Sequence, residues 1–144
     1  YAASGFTVSS AFQTFKAADQ RTLDGATLGV AYQWGTLRLA ANAARSKAET
    51  AAGKHTVQRV MSAGATWSIT PQAGLSAAYY KVDRSRTGAA DDGYGRLVAF
   101  AEYKLSRRTK VYAELDNTRW RHGFQGAANQ ASATGVSAGV VHLF

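Results

Sequence analysis

The chain has 144 residues, of which 46% are hydrophobic and 18% charged, and it contains no cysteine. This composition suits one folded domain and excludes a disordered chain, a disulfide framework and a thiolate metal site. The net charge of +8 favours anionic partners, yet no run approaches the roughly 18 apolar residues of a membrane-spanning helix. A helical membrane protein is therefore excluded, whereas a membrane protein built from strands is not.

Apolar and polar residues alternate with a period of two along most of the chain, which indicates β-strands with two different faces. In chain order, the candidate segments are 6–16, 28–34, 37–45, 59–69, 74–83, 96–105, 110–117 and 136–144. Segment 6–16 alternates less cleanly than the others, and segment 74–83 is ambiguous in phase. The Ala-rich segment 37–45 also suits a helix by propensity, but its strict alternation favours a strand. We expect eight strands of about ten residues, which is the length of a tilted transmembrane strand.

The connections between these strands are expected to alternate in length. Short connections are predicted at 35–36, 70–73 and 106–108, and long polar ones at 17–23, 46–55, 85–93 and 121–134. Short turns at one end and long loops at the other are typical of outer-membrane barrels. The sequence therefore predicts an all-β, antiparallel, up-and-down transmembrane β-barrel. Alternation alone also fits a soluble β-sandwich with an apolar core, and that alternative stays open here.

The two faces of the expected strands differ in chemistry. One face is apolar and has aromatic residues near strand ends, as lipid contact requires: Trp34, Trp67, Tyr103 and Phe144. The other face carries polar and charged residues that we predict to line a pore: Arg38, Asn42, Arg96, Glu102, Lys104, Glu114 and Asp116. Opposed charges along a pore bias ions by sign.

Most of the excess positive charge lies in the expected connections. The long ones contain Arg21, Lys47, Lys54, Arg84, Arg86 and Arg121, and one short turn contains Arg107 and Arg108. Such cations favour contact with lipopolysaccharide phosphates or attraction of anions to the pore mouth. We expect a weak anion preference.

No motif in the chain indicates catalysis, a metal or a cofactor. Asp91-Asp92-Gly93 is read as a turn rather than a calcium loop, because a spaced third carboxylate is missing. The histidines His55, His122 and His142 lack zinc-ligand spacing, and no serine lies in a GxSxG motif. A basic helix or a basic and aromatic strand for nucleic acid is also missing. We expect no enzyme, no cofactor and no nucleic-acid partner.

The last ten residues, 135–144, resemble the C-terminal strand of outer-membrane proteins, which ends in Phe after apolar or aromatic residues at every second position. The corresponding residues here are Val136, Ala138, Val140, His142 and Phe144. His142 is similar to the third-last residue of general porins of the beta-proteobacterial type, although Leu143 replaces a residue that is often basic there. Segments 28–32, 101–109, 111–113 and 115–117 are also similar to these porins. The most specific pattern is Y-x-L-S-[KR]-R-T…Y.

This resemblance implies an outer-membrane porin that forms a water-filled channel for passive diffusion of small hydrophilic solutes and ions. It further implies trimers of sixteen-stranded barrels, contact with outer-membrane lipid and lipopolysaccharide, and recognition of the C-terminal strand by the barrel-assembly machinery. The strands predicted in this chain correspond to only the C-terminal eight of such a barrel. The family's inward-folded acidic loop has no match in this sequence.

Residues 1–144 are expected to form a single β-barrel domain or the C-terminal half of a larger barrel. The small residues of the polar face would fill the narrow lumen of an eight-stranded barrel poorly, which favours half of a sixteen-stranded porin. The alternative is a closed eight-stranded barrel that acts as a structural anchor or adhesin through its long loops.

Overall fold

The computed structural model describes residues 1–51, 53–123 and 129–144, which form one antiparallel sheet. The strands are β1 (Ala2–Ala3), β2 (Phe6–Lys16), β3 (Thr22–Trp34), β4 (Leu37–Ala51), β5 (Lys54–Ser68), β6 (Ala73–Arg86), β7 (Ala89–Lys104), β8 (Thr109–Arg121) and β9 (Ser132–His142). Each strand pairs with the next one in the chain. The eight predicted strands are present, and the two-residue β1 is an addition at one edge. No helix in the described ranges has the length and apolar character needed to cross a membrane.

At one end of the sheet, which we call the extended end, the strands continue beyond the predicted limits. β4 reaches Ala51 and β5 starts at Lys54, while residues 87–88 alone separate β6 from β7. The predicted long loops at 46–55 and 85–93 are therefore wrong, because most of their residues belong to paired strands. Backbone groups pair regardless of side-chain polarity, and register shifts in both hairpins absorb the irregular positions. Part of the predicted connection 121–134 lies outside the described residues.

At the opposite end, tight turns connect the strands. Gly35 lies between β3 and β4 with a φ of 55°, a left-handed conformation that glycine adopts without a steric penalty. In the two other turns, the hydroxyls of Thr70 and Ser106 each accept two backbone N–H groups. Such side-chain hydrogen bonds replace the ladder bonds that end at a chain reversal. The predicted short connections are thus present at this end.

The exposure of the two faces is the reverse of that in a water-soluble protein. Leu115 on the apolar face is 50% exposed, whereas its sequence neighbours Glu114 and Asp116 on the polar face are less exposed and half-buried. In the described part of the chain, the buried hydrophobic residues are Val57 and Val82. A sheet that curves around its polar face produces this pattern. The described strands contain no second sheet against the apolar face, so the soluble sandwich is the wrong alternative.

Cross-strand register aligns the apolar side chains into a continuous outward band. One row of this band contains Tyr32, Leu39, Ala65, Ala77, Ala99, Leu115 and Val136. Outward positions 61 to 69 span about 27 Å along the strand, or about 20 Å along the membrane normal at a tilt of about 40°. With side-chain length added, this height suits the lipid-facing band of about 25 Å in outer-membrane barrels.

Four aromatic residues of the outward face mark one edge of this band. Trp34, Trp67 and Tyr103 lie within a few residues of the tight turns, and Phe144 follows the end of β9 that pairs with Thr109. All four are well exposed, Trp34 to 72% and Phe144 fully. Aromatic rings in this position suit the interface between lipid and water.

We expect a charge in the middle of this band to destabilise the barrel strongly. Leu97→Arg places a guanidinium on the outward face of β7 and should lower the free energy of unfolding in lipid by about 2–4 kcal/mol. The matched control is Val98→Arg on the polar face of the same strand, where water can solvate the charge. Denaturant titration in phospholipid vesicles measures both. Equal losses in the two variants would contradict the face assignment.

Candidate lumen wall

The polar face of the sheet carries all seven residues that the sequence predicts to line a pore. Four of the seven lie in two rows of residues that are paired with one another across neighbouring strands. One row contains Gly29, Asn42, Ser62, Tyr80, Arg96 and Thr118, and another Arg38, Thr66, Ser76, Phe100, Glu114 and Ser137. Glu102, Lys104 and Asp116 occupy the same face on β7 and β8. The register also resolves the phase of β6, which the sequence leaves ambiguous.

The half of this face on β2 to β6 is lined by small and hydroxylated residues. They surround an open cavity of about 460 Å³ that is bordered by Arg38 and Tyr80. The amide of Asn42 donates to the Thr27 hydroxyl at 3.1 Å, a bond internal to the wall. No described residue forms an ion pair with Arg38. Its guanidinium is therefore available to solute at this wall.

The half of the face on β7 to β9 is lined by charges that pair across strands. Arg96 Nη2 lies 3.2 Å from Asp116 Oδ1, and Lys110 Nζ lies 2.9 Å from Glu102 Oε2. Sequence reasoning missed Lys110, although it is in phase with Glu114 and Asp116 on β8. These side chains are partly exposed, so each pair adds little to stability. Their main effect is to neutralise charge locally at the wall.

Two aromatic rings lie flat against the same half of the wall. Phe100 and Tyr112 stack with ring centroids 5.8 Å apart and an interplanar angle of 24°. The Tyr112 ring crosses Gly139, where a Cβ would lie 2.7 Å from the phenolic oxygen. A larger residue at position 139 would push the ring away from the wall. Gly139 therefore keeps this aromatic pair out of the space in front of the sheet.

A buried carboxylate holds two arginines near the extended end of the sheet. Asp92 has no exposed side-chain surface; both its oxygens accept from Arg84 at 2.8 Å, and Arg86 donates at 2.5 Å. The predicted turn at 91–93 and the loop placement of both arginines are therefore wrong, since these residues lie in β7 and β6. The sequence signal for this placement is that Arg84 lies two residues after Val82, so that both side chains fall on the polar face of one strand.

The ionic contacts also shift the pKa values of charged side chains at this end of the sheet, which lies beyond the apolar band. Hydrogen bonds from Arg84 hold the pKa of Asp92 below its ordinary value and raise the pKa of Arg84, against the opposing effect of burial. On the outward face, Arg121 and Lys81 lie 2.6 and 3.4 Å from Asp83. The Arg121 hydrogen bond is the main cause that lowers the pKa of Asp83.

The last strand presents its predicted residues outward. Val136 and Val140 are 79% and 66% exposed and lie opposite outward residues of β8. The His142 Nδ1 atom lies 2.8 Å from the Thr109 hydroxyl, and its ring meets Phe144 edge-on at 5.1 Å. Among the residues that the structure describes, no group of three or more His, Cys, Asp or Glu could hold a metal ion.

Acidification should loosen the β6–β7 hairpin. Because the pKa of Asp92 is lower in the folded chain, its stabilising contribution is complete above its ordinary pKa near 3.8 and is lost as pH falls through the lowered value. We expect the protection of amides in residues 84–92 against hydrogen exchange, taken relative to the intrinsic rate at each pH, to fall below about pH 4. Asp92→Asn should show fast exchange already at pH 7, whereas the exposed control Asp19→Asn should not. Unchanged exchange in Asp92→Asn would contradict a structural role of the carboxylate.

Comparison with known proteins gives the following matches. The sequence profile of the Gram-negative porin family matches residues 1–123. The solved anion-selective porin from Comamonas acidovorans is 20% identical with a TM-score of 0.82, and the match covers 100% of this chain and 47% of that one. In-vitro folded OmpT of Vibrio cholerae is 14% identical with a TM-score of 0.80, covering 98% and 52%. Its trimer form is 17% identical with a TM-score of 0.67, covering 85% and 42%.

These matches confirm the predicted fold. At such low identity the solved structures support the outer-membrane barrel architecture alone. The chain spans about half the length of the solved proteins that it matches, which agrees with the predicted half-barrel. A search of curated proteins found no significant match.

Proposed function

This chain belongs to the Gram-negative porin family, and from that premise we propose that it forms part of a water-filled channel for passive diffusion of small hydrophilic solutes and ions. Membership places it in the outer membrane of a Gram-negative bacterium. The observation that carries the proposal is the reversed exposure of the sheet, with apolar residues outward and charged residues on the concave face. Passive diffusion needs an open polar path and no catalytic residue, so we assign no enzymatic activity.

The channel requires strands beyond this sheet. β1 and β9 are the two edges, and the described residues contain no pairing between them. Unpaired backbone groups cost several kcal/mol each in hydrocarbon, so further strands must complete the barrel. This requirement, together with the small residues on β2 to β6, supports a half-barrel over a closed eight-stranded anchor. We further propose a homotrimer, which the trimer form of Vibrio cholerae OmpT supports by analogy.

We propose that this wall gives the channel a weak preference for anions. The charged residues of the polar face are Arg38, Arg84, Arg86, Arg96, Lys104 and Lys110, against Asp92, Glu102, Glu114 and Asp116. Cations are therefore in excess on the described wall. Carboxylates neutralise several of them, while Arg38 and Lys104 have no ion-pair partner among described residues. Two unpaired cations against the single unpaired Glu114 favour anions near the wall.

Three partners complete the proposal. The outward apolar band contacts outer-membrane lipid, and outward cations at the extended end contact lipopolysaccharide phosphates. Arg84 and Arg86 are excluded from that second role, because both are engaged with Asp92 on the polar face. The exposed outward residues of β9, ending at Phe144, are available to the barrel-assembly machinery.

Charge reversal at the wall should change ion selectivity. In planar bilayers with a salt gradient, Arg38→Glu in the protein at its native length should lower the anion-to-cation permeability ratio about two- to fivefold. This magnitude follows from a change of two unit charges about 8 Å from a permeating ion in water, once salt at about 0.15 M screens the interaction. The control Arg119→Glu makes the same charge change on the outward face and should leave the ratio near the parent value.

The same recording tests the channel itself. The parent protein should give stable conductance steps with a reversal potential on the anion side. Failure to conduct by a protein that is correctly folded in lipid would contradict the proposed function. Equal shifts in Arg38→Glu and Arg119→Glu would contradict the placement of Arg38 on the lumen wall while leaving the channel intact.

A further inference from the structure

The polar face of β7 and β8 has a repeated diagonal contact between side chains. In each contact, a residue of β7 meets the residue of β8 that lies two positions before its register partner. The contacts are Arg96–Asp116, Phe100–Tyr112 and Glu102–Lys110. The two aromatic rings therefore lie in line between two ion pairs. Along the strand, one pair is about 7 Å from the rings and the other about 13 Å.

The two rings present an apolar surface on the polar face, which we call the aromatic platform. Tyr112 lies over Gly139 of β9, because a Cβ at that glycine would be 2.7 to 2.8 Å from three atoms of the phenol. Backbone thus covers one face of this ring, and the other face is directed away from the sheet. Phe100 continues the surface at an interplanar angle of 24°. Both residues are only half-buried, so a solute has access to them.

The charges around the aromatic platform cancel one another. The charged residues on the polar face of β7 and β8 within about 13 Å of the rings are Arg96, Lys104, Lys110, Glu102, Glu114 and Asp116. Three cations thus lie among three carboxylates. The flanking residues are uncharged from Gly74 to Tyr80 on β6 and from Gly135 to Val141 on β9. Because an ion gains no net attraction from this surroundings, the platform favours a neutral solute.

The paired charges retain hydrogen-bonding capacity for a solute. Each ion pair is one contact between a nitrogen and an oxygen, Arg96 to Asp116 and Lys110 to Glu102. A guanidinium has five N–H donors, an ammonium three, and a carboxylate about four acceptor sites. Glu114, next to Tyr112 on the same face of β8, has no ion-pair partner among the described residues. Hydroxyl groups both donate and accept, so they bind to both members of a pair without separating them.

We propose that the aromatic platform is a saturable binding subsite for neutral sugars in the pyranose form. One face of the sugar ring stacks on Phe100 and Tyr112, because aromatic faces are negative and the C–H groups of the sugar are weakly positive. The hydroxyls at the rim of the sugar bond to the flanking charged side chains, with Glu114 as the acceptor beside the platform. The inference rests on the proposed function, since the wall must face water, and it adds a solute preference to passive diffusion.

Saturation-transfer NMR on the protein at its native length, in a detergent without a sugar headgroup, tests the subsite without requiring conductance. The probe is methyl β-D-glucopyranoside, whose ring substituents are all equatorial, so that C–H groups point to both ring faces. We expect saturable transfer to its ring protons. Sorbitol has hydroxyls but no ring face, and it should bind at least about fivefold more weakly. Equal binding of sorbitol, or no saturable transfer to the glucoside, would overturn the proposal.

Matched double variants test the two rings. Phe100→Leu/Tyr112→Leu keeps apolar side chains but removes the flat faces, and it should weaken glucoside binding about five- to tenfold. Tyr94→Leu/Trp120→Leu removes two rings from the same face of the same strands, about 20 Å or more towards the extended end. This control should bind the glucoside within about twofold of the parent protein. Equal losses in the two double variants would contradict binding at the platform.

Two further substitutions leave both rings in place. Gly139→Ala displaces Tyr112 and should weaken glucoside binding at least about threefold, whereas Gly25→Ala, where a Cβ meets the flexible Gln13 side chain at 3.3 Å, should not. Glu114→Leu should also weaken binding, while Glu114→Gln keeps a carbonyl acceptor and should bind nearly as the parent does. Unchanged binding in both Gly139→Ala and Glu114→Leu would overturn the proposed contacts. Tighter binding of phenylalanine or benzoate than of the glucoside would overturn the assignment to neutral sugars.

Bilayer recordings separate this subsite from the proposed function. In the parent protein, the glucoside should lower the ion conductance to a plateau, beyond the fall in conductivity of the solution, whereas sorbitol should cause that fall alone. Normal conductance steps without a saturable effect of the glucoside overturn the subsite and leave the channel standing. Absence of steps from a correctly folded parent protein that still binds the glucoside overturns the channel and leaves the sugar site standing.

Discussion

The structure depends on one constraint: backbone N–H and C=O groups inside a bilayer must pair with one another, because the hydrocarbon offers no alternative partner. The unbroken antiparallel ladder from β2 to β9 meets this requirement for every strand except the edges. Turns and register irregularities lie at or near the strand ends, where water is available. The ladder then fixes the side-chain arrangement, since successive residues of a strand point to opposite faces.

The same ladder explains how a strongly charged sheet exists in a membrane. Leu97 and Ala99 lie on the outward apolar face, while Arg96 and Val98 lie on the polar face, where water can solvate charge. Pairing of Arg96 with Asp116 across the ladder adjusts the local field rather than stabilising the fold. The small residues on β2 to β6 and the flat Phe100–Tyr112 pair both leave open space in front of this wall.

Sequence alternation predicted the strands within the bilayer well, because lipid and water impose opposite demands on alternate residues. It failed beyond the band at 46–55 and 85–93, since strands surrounded by water on both faces have no apolar signal. Asp92-Gly93 looks like a turn by composition, yet Gly93 lies in β7 where a Cβ would collide with the Val82 carbonyl. Ion partners such as Lys110 depend on cross-strand register, which one sequence does not specify.

Thiol accessibility along β7 tests the central claim, that the polar face lines water while the apolar face contacts lipid. The chain contains no cysteine, so single substitutions at positions 97 to 101 each provide a unique probe. In the protein folded into vesicles, a charged, water-soluble thiol reagent should modify cysteines at Val98 and Phe100 and spare those at Leu97, Ala99 and Ala101. Uniform labelling of all five positions, or labelling in the opposite phase, would contradict the account.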